Sequence, residues 1–196
     1  MTAPPPPGRT VVVAGLPVHA VVEGAGRPAV VFESGLGGSS IEWEPVVRRL
    51  RGPDAPTMVR YDRPGLGWSP FRRLDRRPLA VAGRLRALLD ALDVPPPYIL
   101  VGHSLGALYA RVFATARPAT VAGLLLLEPA VEGATGLPGF RREVTLARAL
   151  TGAAAALAPV GAARLVGPMY LRQIAAGLVR RPDAEIAAVL AATRAR

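Results

Sequence analysis

The sequence predicts an α/β fold: a mostly parallel sheet with helices on both faces. Three observations carry this expectation. Short apolar runs of strand length alternate with helical patterns from residue 10 to about residue 130, the order that covers parallel strands on both sides. The runs end in turns: a glycine loop at 35–38, a turn-rich segment at 62–69 and three prolines at 95–97. Hydrophobic residues make up 51% of the 196, enough for one domain with a sizeable core.

In chain order, Thr10 to Ala14 and Pro17 to Glu23 read as two short strands around Gly15, a hairpin-like opening. Ala29 to Glu33 is a short buried strand that ends in the loop Ser34-Gly35-Leu36-Gly37-Gly38. Ser39-Ser40 can cap a helix running through Trp43 to about Leu50. Pro56 to Tyr61 is another strand, followed by the loop Asp62 to Ser69. A helix spans roughly Leu79 to Leu92, with Leu85, Leu88, Leu89 and Leu92 at helical spacing, and Pro95-Pro96-Pro97 stops it. Tyr98 to Val101 is a strand and Ala107 to Ala116 a helix. Val121 to Leu127 is a fully apolar strand ending at Glu128-Pro129. Beyond it the pattern changes: 131–196 shows no strand and reads as helices broken by Gly and Pro over 139–150, 153–170 and 183–194. The expected organisation is a flexible Pro-rich lead-in over 1–9, an α/β core over 10–130 and a helical region over 131–196.

Composition narrows the function classes. The absence of cysteine excludes disulfides and thiolate metal sites. With two histidines and few clustered carboxylates, neither a metal nor a cofactor is expected. The formal charge is +10, and all 24 basic residues are Arg, dense between Arg48 and Arg86. That density reads as a solvated basic face. An anionic partner or membrane surface is the competing reading, and no nucleic-acid motif accompanies it. The N-terminus has no charged n-region and no apolar h-region and is not expected to be a signal peptide. Gly152 to Leu171 is interrupted by Pro159, Arg164 and Pro168 and is not expected to span a membrane. A cytoplasmic protein is expected.

The segment Gly102-His103-Ser104-Leu105-Gly106 sits between a strand and a helix, the context of a nucleophile elbow. The turn there is so tight that side chains flanking Ser104 would collide, and Gly102 and Gly106 remove the colliding Cβ atoms. A helix N-cap would also explain a Ser, but not the flanking glycines.

Three motifs in order make the chain resemble the α/β-hydrolase superfamily, nearest to its serine esterases, lipases and perhydrolases. Glu33-Ser34-Gly35-Leu36-Gly37-Gly38 stands where the family has its His-Gly oxyanion loop, with Ser34 in place of His. Tyr61 to Ser69 is similar to the family's Asp-x-Pro-Gly-x-Gly-x-Ser segment, and Pro97 to Gly106 to its strand and elbow. The resemblance covers residues 10 to 130 and implies that 131–196 is the family's lid. It implies Ser104 as nucleophile, and the backbone N–H groups of Leu105 and Leu36 as the oxyanion hole. It implies a small-molecule ester or related acyl substrate and no cofactor. Dehalogenases and epoxide hydrolases of this fold use Asp at the elbow, where this chain has Ser. Asp62-Arg63 and the loop that follows read as structural, a turn that in the family orders the strand end near the site, and Trp43 and Trp68 read as packing residues.

The family's triad runs Ser, acid, His along the chain. Glu128 stands where some relatives place the acid; it reads equally well as a carboxylate near Arg63 or Arg111. His103 adjoins Ser104 on an extended segment, so its side chain points the other way. His19 is expected to be a partly exposed strand residue far from the elbow. The chain is therefore expected to be truncated before the last two strands and the catalytic His, which leaves Val121–Leu127 as an apolar sheet edge open to self-association. A serine hydrolase is the first reading, a non-catalytic binding protein of the same fold the second, and a basic interaction module the third.

Overall fold

The computed structural model describes residues 7–130; the helices expected over 139–150, 153–170 and 183–194, and the lid they would form, lie outside the described residues. Within 7–130 the elements are β1 (Arg9–Val13), β2 (Leu16–Glu23), β3 (Gly26–Glu33), a 3-10 turn (Ser40–Trp43), α1 (Glu44–Leu50), β4 (Pro56–Tyr61), α2 (Pro78–Ala91), β5 (Tyr98–His103), α3 (Leu105–Ala116), a 3-10 turn (Pro118–Thr120) and β6 (Val121–Leu127).

The six strands form one mixed sheet in the order β1-β2-β4-β3-β5-β6. β4, β3, β5 and β6 run parallel, and the hairpin β1-β2 joins antiparallel at β4. The hairpin turns through Ala14 and Gly15, both at positive φ (48° and 78°), as a two-residue type I′ turn requires. Among the described residues β6 is the edge of the sheet.

β3 shows why the strands read as continuous apolar runs. Val31 faces the layer that holds Leu85, Leu88, Leu89 and Phe113 from α2 and α3. Val30 and Phe32 face the opposite layer, with Trp43 and Val47. A central strand covered on both faces buries consecutive residues, here Ala29 to Glu33. Each large side chain so buried contributes about 1.5–3 kcal/mol.

One local expectation is corrected. Ser39 makes no side-chain cap, and the helix it was to start opens as the 3-10 turn Ser40–Trp43 before α1. The backbone N–H of Ser40 is instead satisfied by the carboxylate of Asp62, at 2.6 Å. A distant carboxylate thus satisfies one of the donors that a helix start leaves without an internal partner. Among the described residues no helix is long and apolar enough to cross a membrane.

Candidate active site

The C-terminal ends of β3 and β5 lie side by side, because the two strands pair in register from Ala29↔Tyr98 to Glu33↔Gly102. The glycine loop and the Ser104 turn therefore leave the sheet next to each other, at the end where α/β sheets hold their ligands. Ser104 has φ 52° and ψ −115°, a conformation that costs a non-glycine residue about 1–3 kcal/mol. Backbone bonds on both sides hold it there. Its N–H donates to Leu127 O at 2.9 Å, and its carbonyl accepts from Ala107 N and Ala130 N, each at 3.1 Å. Its hydroxyl makes no N-cap bond to α3, so helix capping does not account for the Ser.

The flanking glycines are set by contact. A Cβ on Gly102 would stand 2.6 Å from Ala107 Cα, and one on Gly106 would stand 2.5 Å from Ser34 O and closer still to Glu33 O. Gly106 is thus the point where the start of α3 rests on the end of β3. A Cβ on Gly35 would lie 3.6 Å from Ser104 Cβ and 3.1 Å from His103 Nδ1, which places the glycine loop against the Ser104 turn. Leu36 follows in that loop with its side chain exposed, and Leu105 opens α3.

The loop is fastened from beneath by Glu33, Tyr61 and Arg63, whose contacts with one another the sequence did not reveal. Arg63 Nη1 donates to the Glu33 carboxylate and, at 2.7 Å, to Ser34 O; its Nη2 donates to Gly35 O. Tyr61 donates its hydroxyl to the other oxygen of Glu33. The guanidinium also lies over the Tyr109 ring, 5.4 Å from its centroid. Burial pushes the Glu33 carboxyl above the usual carboxylate range, against the pull of Arg63 and Tyr61. Burial, then the charge of Glu33, pushes the Tyr61 hydroxyl well above its ordinary value. The available signal was compositional: a Glu ending an apolar strand needs a buried partner.

Glu42 approaches the loop from the other side. Its carboxylate accepts the N–H of Gly35 at 3.2 Å and lies 3.9 Å from His103 Nδ1, an ion-pair distance too long for a hydrogen bond. The Glu42 carboxylate raises the pKa of His103 above its ordinary value, and the charge of Glu128 adds to this. Glu128 is exposed, directly after Leu127, whose carbonyl holds Ser104. The structure therefore brings Ser104, Leu105, Gly35, His103 and Glu128 to one place.

His19 corrects its expectation. It is 2% exposed, not a partly exposed strand residue. Its Nδ1 lies 3.0 Å from Asp62 Oδ2, its Nε2 donates to Pro7 O at 2.8 Å, and its ring packs 4.9 Å from that of Trp68. Period-2 alternation could not reveal this, because the pocket that buries it is built by the loop after β4. That loop explains its own motif. Asp62 accepts from Ser40 N and Trp68 N, and Ser69 donates to Asp62 O while accepting from His19 N. Trp43 is buried, packs on Phe32 at 5.0 Å, and donates Nε1–H to Ser34 Oγ at 2.9 Å. Among the described residues no group of three or more His, Cys, Asp or Glu is placed to hold a metal ion.

A family model for alpha/beta hydrolases matches residues 30–196. YqjL, an uncharacterised protein of Bacillus subtilis (strain 168), is 36% identical over 109 residues, 56% of this chain and 42% of its own length. RutD of Variovorax paradoxus (strain S110), named as a candidate carbamate hydrolase, is 38% identical over 115 residues, 57% of this chain and 42% of its own. Among solved structures, the haloalkane dehalogenase DatA from Agrobacterium tumefaciens C58 superposes with a TM-score of 0.55 at 29% identity, over 62% of this chain and 40% of that one. The chain thus spans about two fifths of the length of these relatives.

Proposed function

Because the chain belongs to the alpha/beta hydrolase family, with a model match over residues 30–196, we propose that it carries the nucleophile and oxyanion hole of a serine hydrolase acting on an ester or a related acyl bond. The observation that supports this most is Ser104 itself: a serine at positive φ, its hydroxyl not used for capping, held between β5 and α3. Strain of that kind, retained in a turn anchored by three backbone bonds, is characteristic of a functional residue.

In the proposed reaction Ser104 Oγ attacks the acyl carbon. The carbonyl oxygen becomes an oxyanion and takes hydrogen bonds from the N–H groups of Leu36 and Leu105, each worth about 10²–10³ in rate. A general base takes the Ser104 proton and passes it to the departing alcohol or amine, then takes a proton from the water that hydrolyses the acyl-serine and returns it to Ser104 Oγ. Ser at the elbow argues against the alkyl-transfer chemistry of the dehalogenase relative, and the carbamate hydrolase name of RutD fits an acyl substrate. The base that accepts the Ser104 proton is neither histidine of this sequence. His19 is engaged by Asp62 and Pro7, and His103 faces Glu42. Glu128 is the candidate acid.

That engagement of both histidines favours one alternative, a binding protein that keeps the fold without turnover. A fluorophosphonate probe, applied to the full product of the gene and followed by peptide mass spectrometry, separates the two. Modification at Ser104, with loss of short-ester hydrolysis in Ser104→Ala, is the expected result. A folded protein whose Ser104 stays unmodified would establish the alternative.

A further inference from the structure

We infer that Arg63 is a positioning residue for the oxyanion hole: by holding the carbonyls of Ser34 and Gly35 it fixes the direction in which Leu36 presents its N–H. This rests on the proposed role of Ser104 and Leu36 and gives one residue of a turn read as structural a specific task at the site. The argument is geometric. In a planar trans peptide, the C=O of one residue and the N–H of the next point in opposite directions. The two cis bonds among the described residues are Arg27-Pro28 and Pro96-Pro97, so both peptides of this loop are trans. The Ser34–Gly35 peptide displays the rule: its carbonyl accepts from Arg63 at 2.7 Å, and its N–H donates to Glu42 on the far side, at 3.2 Å. In the next peptide the Gly35 carbonyl also accepts from Arg63. The Leu36 N–H is thereby directed away from the guanidinium.

The loop's own restraint on the Gly35 carbonyl is one long turn bond, from Gly38 N–H at 3.3 Å, and its glycines at 35, 37 and 38 add little conformational preference, so the guanidinium supplies the stronger anchor that keeps one donor aimed. A guanidinium suits the task because its planar fork binds two carbonyls at once, which an ammonium on a flexible stem does not reproduce. Glu33 fixes Arg63 in turn, and Tyr109 covers its face.

Arg63→Ala alone would leave the Glu33 carboxylate buried without its cation, and such variants commonly unfold. The test therefore uses the double variant Arg63→Ala/Glu33→Gln, with Glu33→Gln as its control, in the full product of the gene. The readouts are kcat and KM for an activated short ester, the rate of fluorophosphonate labelling at Ser104, and thermal unfolding. Glu33→Gln leaves the largely buried Arg63 cation without its anion and is expected to lower the unfolding midpoint, but to cost only about threefold in kcat in the folded protein, because Arg63 still holds both carbonyls. The double variant is expected to lose roughly 10–100-fold in kcat and labelling rate, with KM changed by less than about threefold, the pattern of an interaction made in the transition state. Added guanidinium ion is expected to restore part of that loss.

A folded double variant with wild-type kcat would overturn the role of Arg63 and leave the serine hydrolase reading standing. So would a loss that raises KM in equal measure and ignores guanidinium. Wild-type protein that neither labels nor turns over would overturn the reading of Ser104, and this inference with it.

Discussion

Ser104 donates its backbone N–H to the carbonyl oxygen of Leu127 at 2.9 Å, which ties the turn after β5 to the last residue of β6. With the two bonds that its own carbonyl accepts, this contact keeps φ at 52° although the side chain opposes it. Ser104→Gly removes the Cβ that makes the conformation costly, whereas Ser104→Ala keeps it. Relief of strain is worth about 1–3 kcal/mol, and glycine gives back about 0.5–1 kcal/mol through the freedom of the unfolded chain. Ser104→Gly is therefore expected to be more stable than Ser104→Ala by about 1 kcal/mol, with both inactive. Urea unfolding of the two variants measures the difference, and equal midpoints would mean that Ser104 stores no strain.

Two helical glycines respond oppositely to alanine. At Gly83, in α2, a Cβ meets nothing within 4 Å. Gly83→Ala is expected to raise stability by about 0.8–1 kcal/mol, the difference in helix propensity. The same preference acts at Gly106 in α3, but there the Cβ would meet backbone oxygens of Glu33 and Ser34, which have no side-chain freedom to yield. Overpacking of this kind costs about 1–3 kcal/mol or more and outweighs propensity. Gly106→Ala is expected to lower stability and to slow labelling of Ser104, because it separates α3 from β3. Thermal unfolding of the pair decides; a stable Gly106→Ala would contradict the packing argument.

His103 and Glu42 give a pH dependence whose sign follows from geometry. The Glu42 carboxylate 3.9 Å away holds the imidazole pKa above its ordinary value. A base whose pKa is higher folded than unfolded stabilises the fold fully below its unfolded value, about 6.5. That contribution disappears as the pH rises through the higher folded value. His103 is nearly half exposed, so solvent screens the pair and the effect on stability is small. An NMR titration of the His103 ring is expected to show a midpoint above 6.5, falling toward it in Glu42→Gln. An unmoved midpoint in that variant would dissociate the two residues.

What could be read in the sequence was what local pattern encodes. β4 (Pro56–Tyr61) and β6 (Val121–Leu127) have the bounds expected from their apolar runs, because turn residues mark both ends. The strain at Ser104 was legible because two glycines flank a serine between a strand and a helix. Contacts between residues far apart in sequence were not legible. Glu33 and Arg63 are 30 residues apart and meet only because β3 and β4 pair in parallel. His19 was misread for the same reason. Its strand pattern says nothing of a loop that begins 43 residues later and closes over it. The contact from Asp62 to the Ser40 N–H, 22 residues away, was no more visible in the local pattern.

Asp62 is a strong case of such a remote anchor, and its removal is expected to lower stability substantially. It is fully buried, and its two carboxylate oxygens accept the backbone N–H of Ser40 at 2.6 Å and of Trp68 at 2.9 Å, with His19 Nδ1 at 3.0 Å. Asp62→Ala would remove the partner of two buried groups, Ser40 N–H and His19 Nδ1, and of the half-buried Trp68 N–H. Each costs about 1–3 kcal/mol if water does not reach it, so a loss of about 3–5 kcal/mol is expected. Asp62→Asn keeps one carbonyl oxygen and can still serve one backbone donor, so a loss of about 1–3 kcal/mol is expected there. The two variants also differ in where the damage falls. Ser40 begins the turn that leads to Glu42 and Trp43, which contact Gly35 and Ser34 at the candidate site. Asp62→Ala should therefore raise hydrogen exchange in the loop 34–43 as well as lower the unfolding midpoint. Exchange and denaturant unfolding measured on the same variants test both parts. An Asp62→Ala protein as stable as Asp62→Asn, with loop 34–43 as protected as in the wild type, would show that Asp62 does not anchor the site.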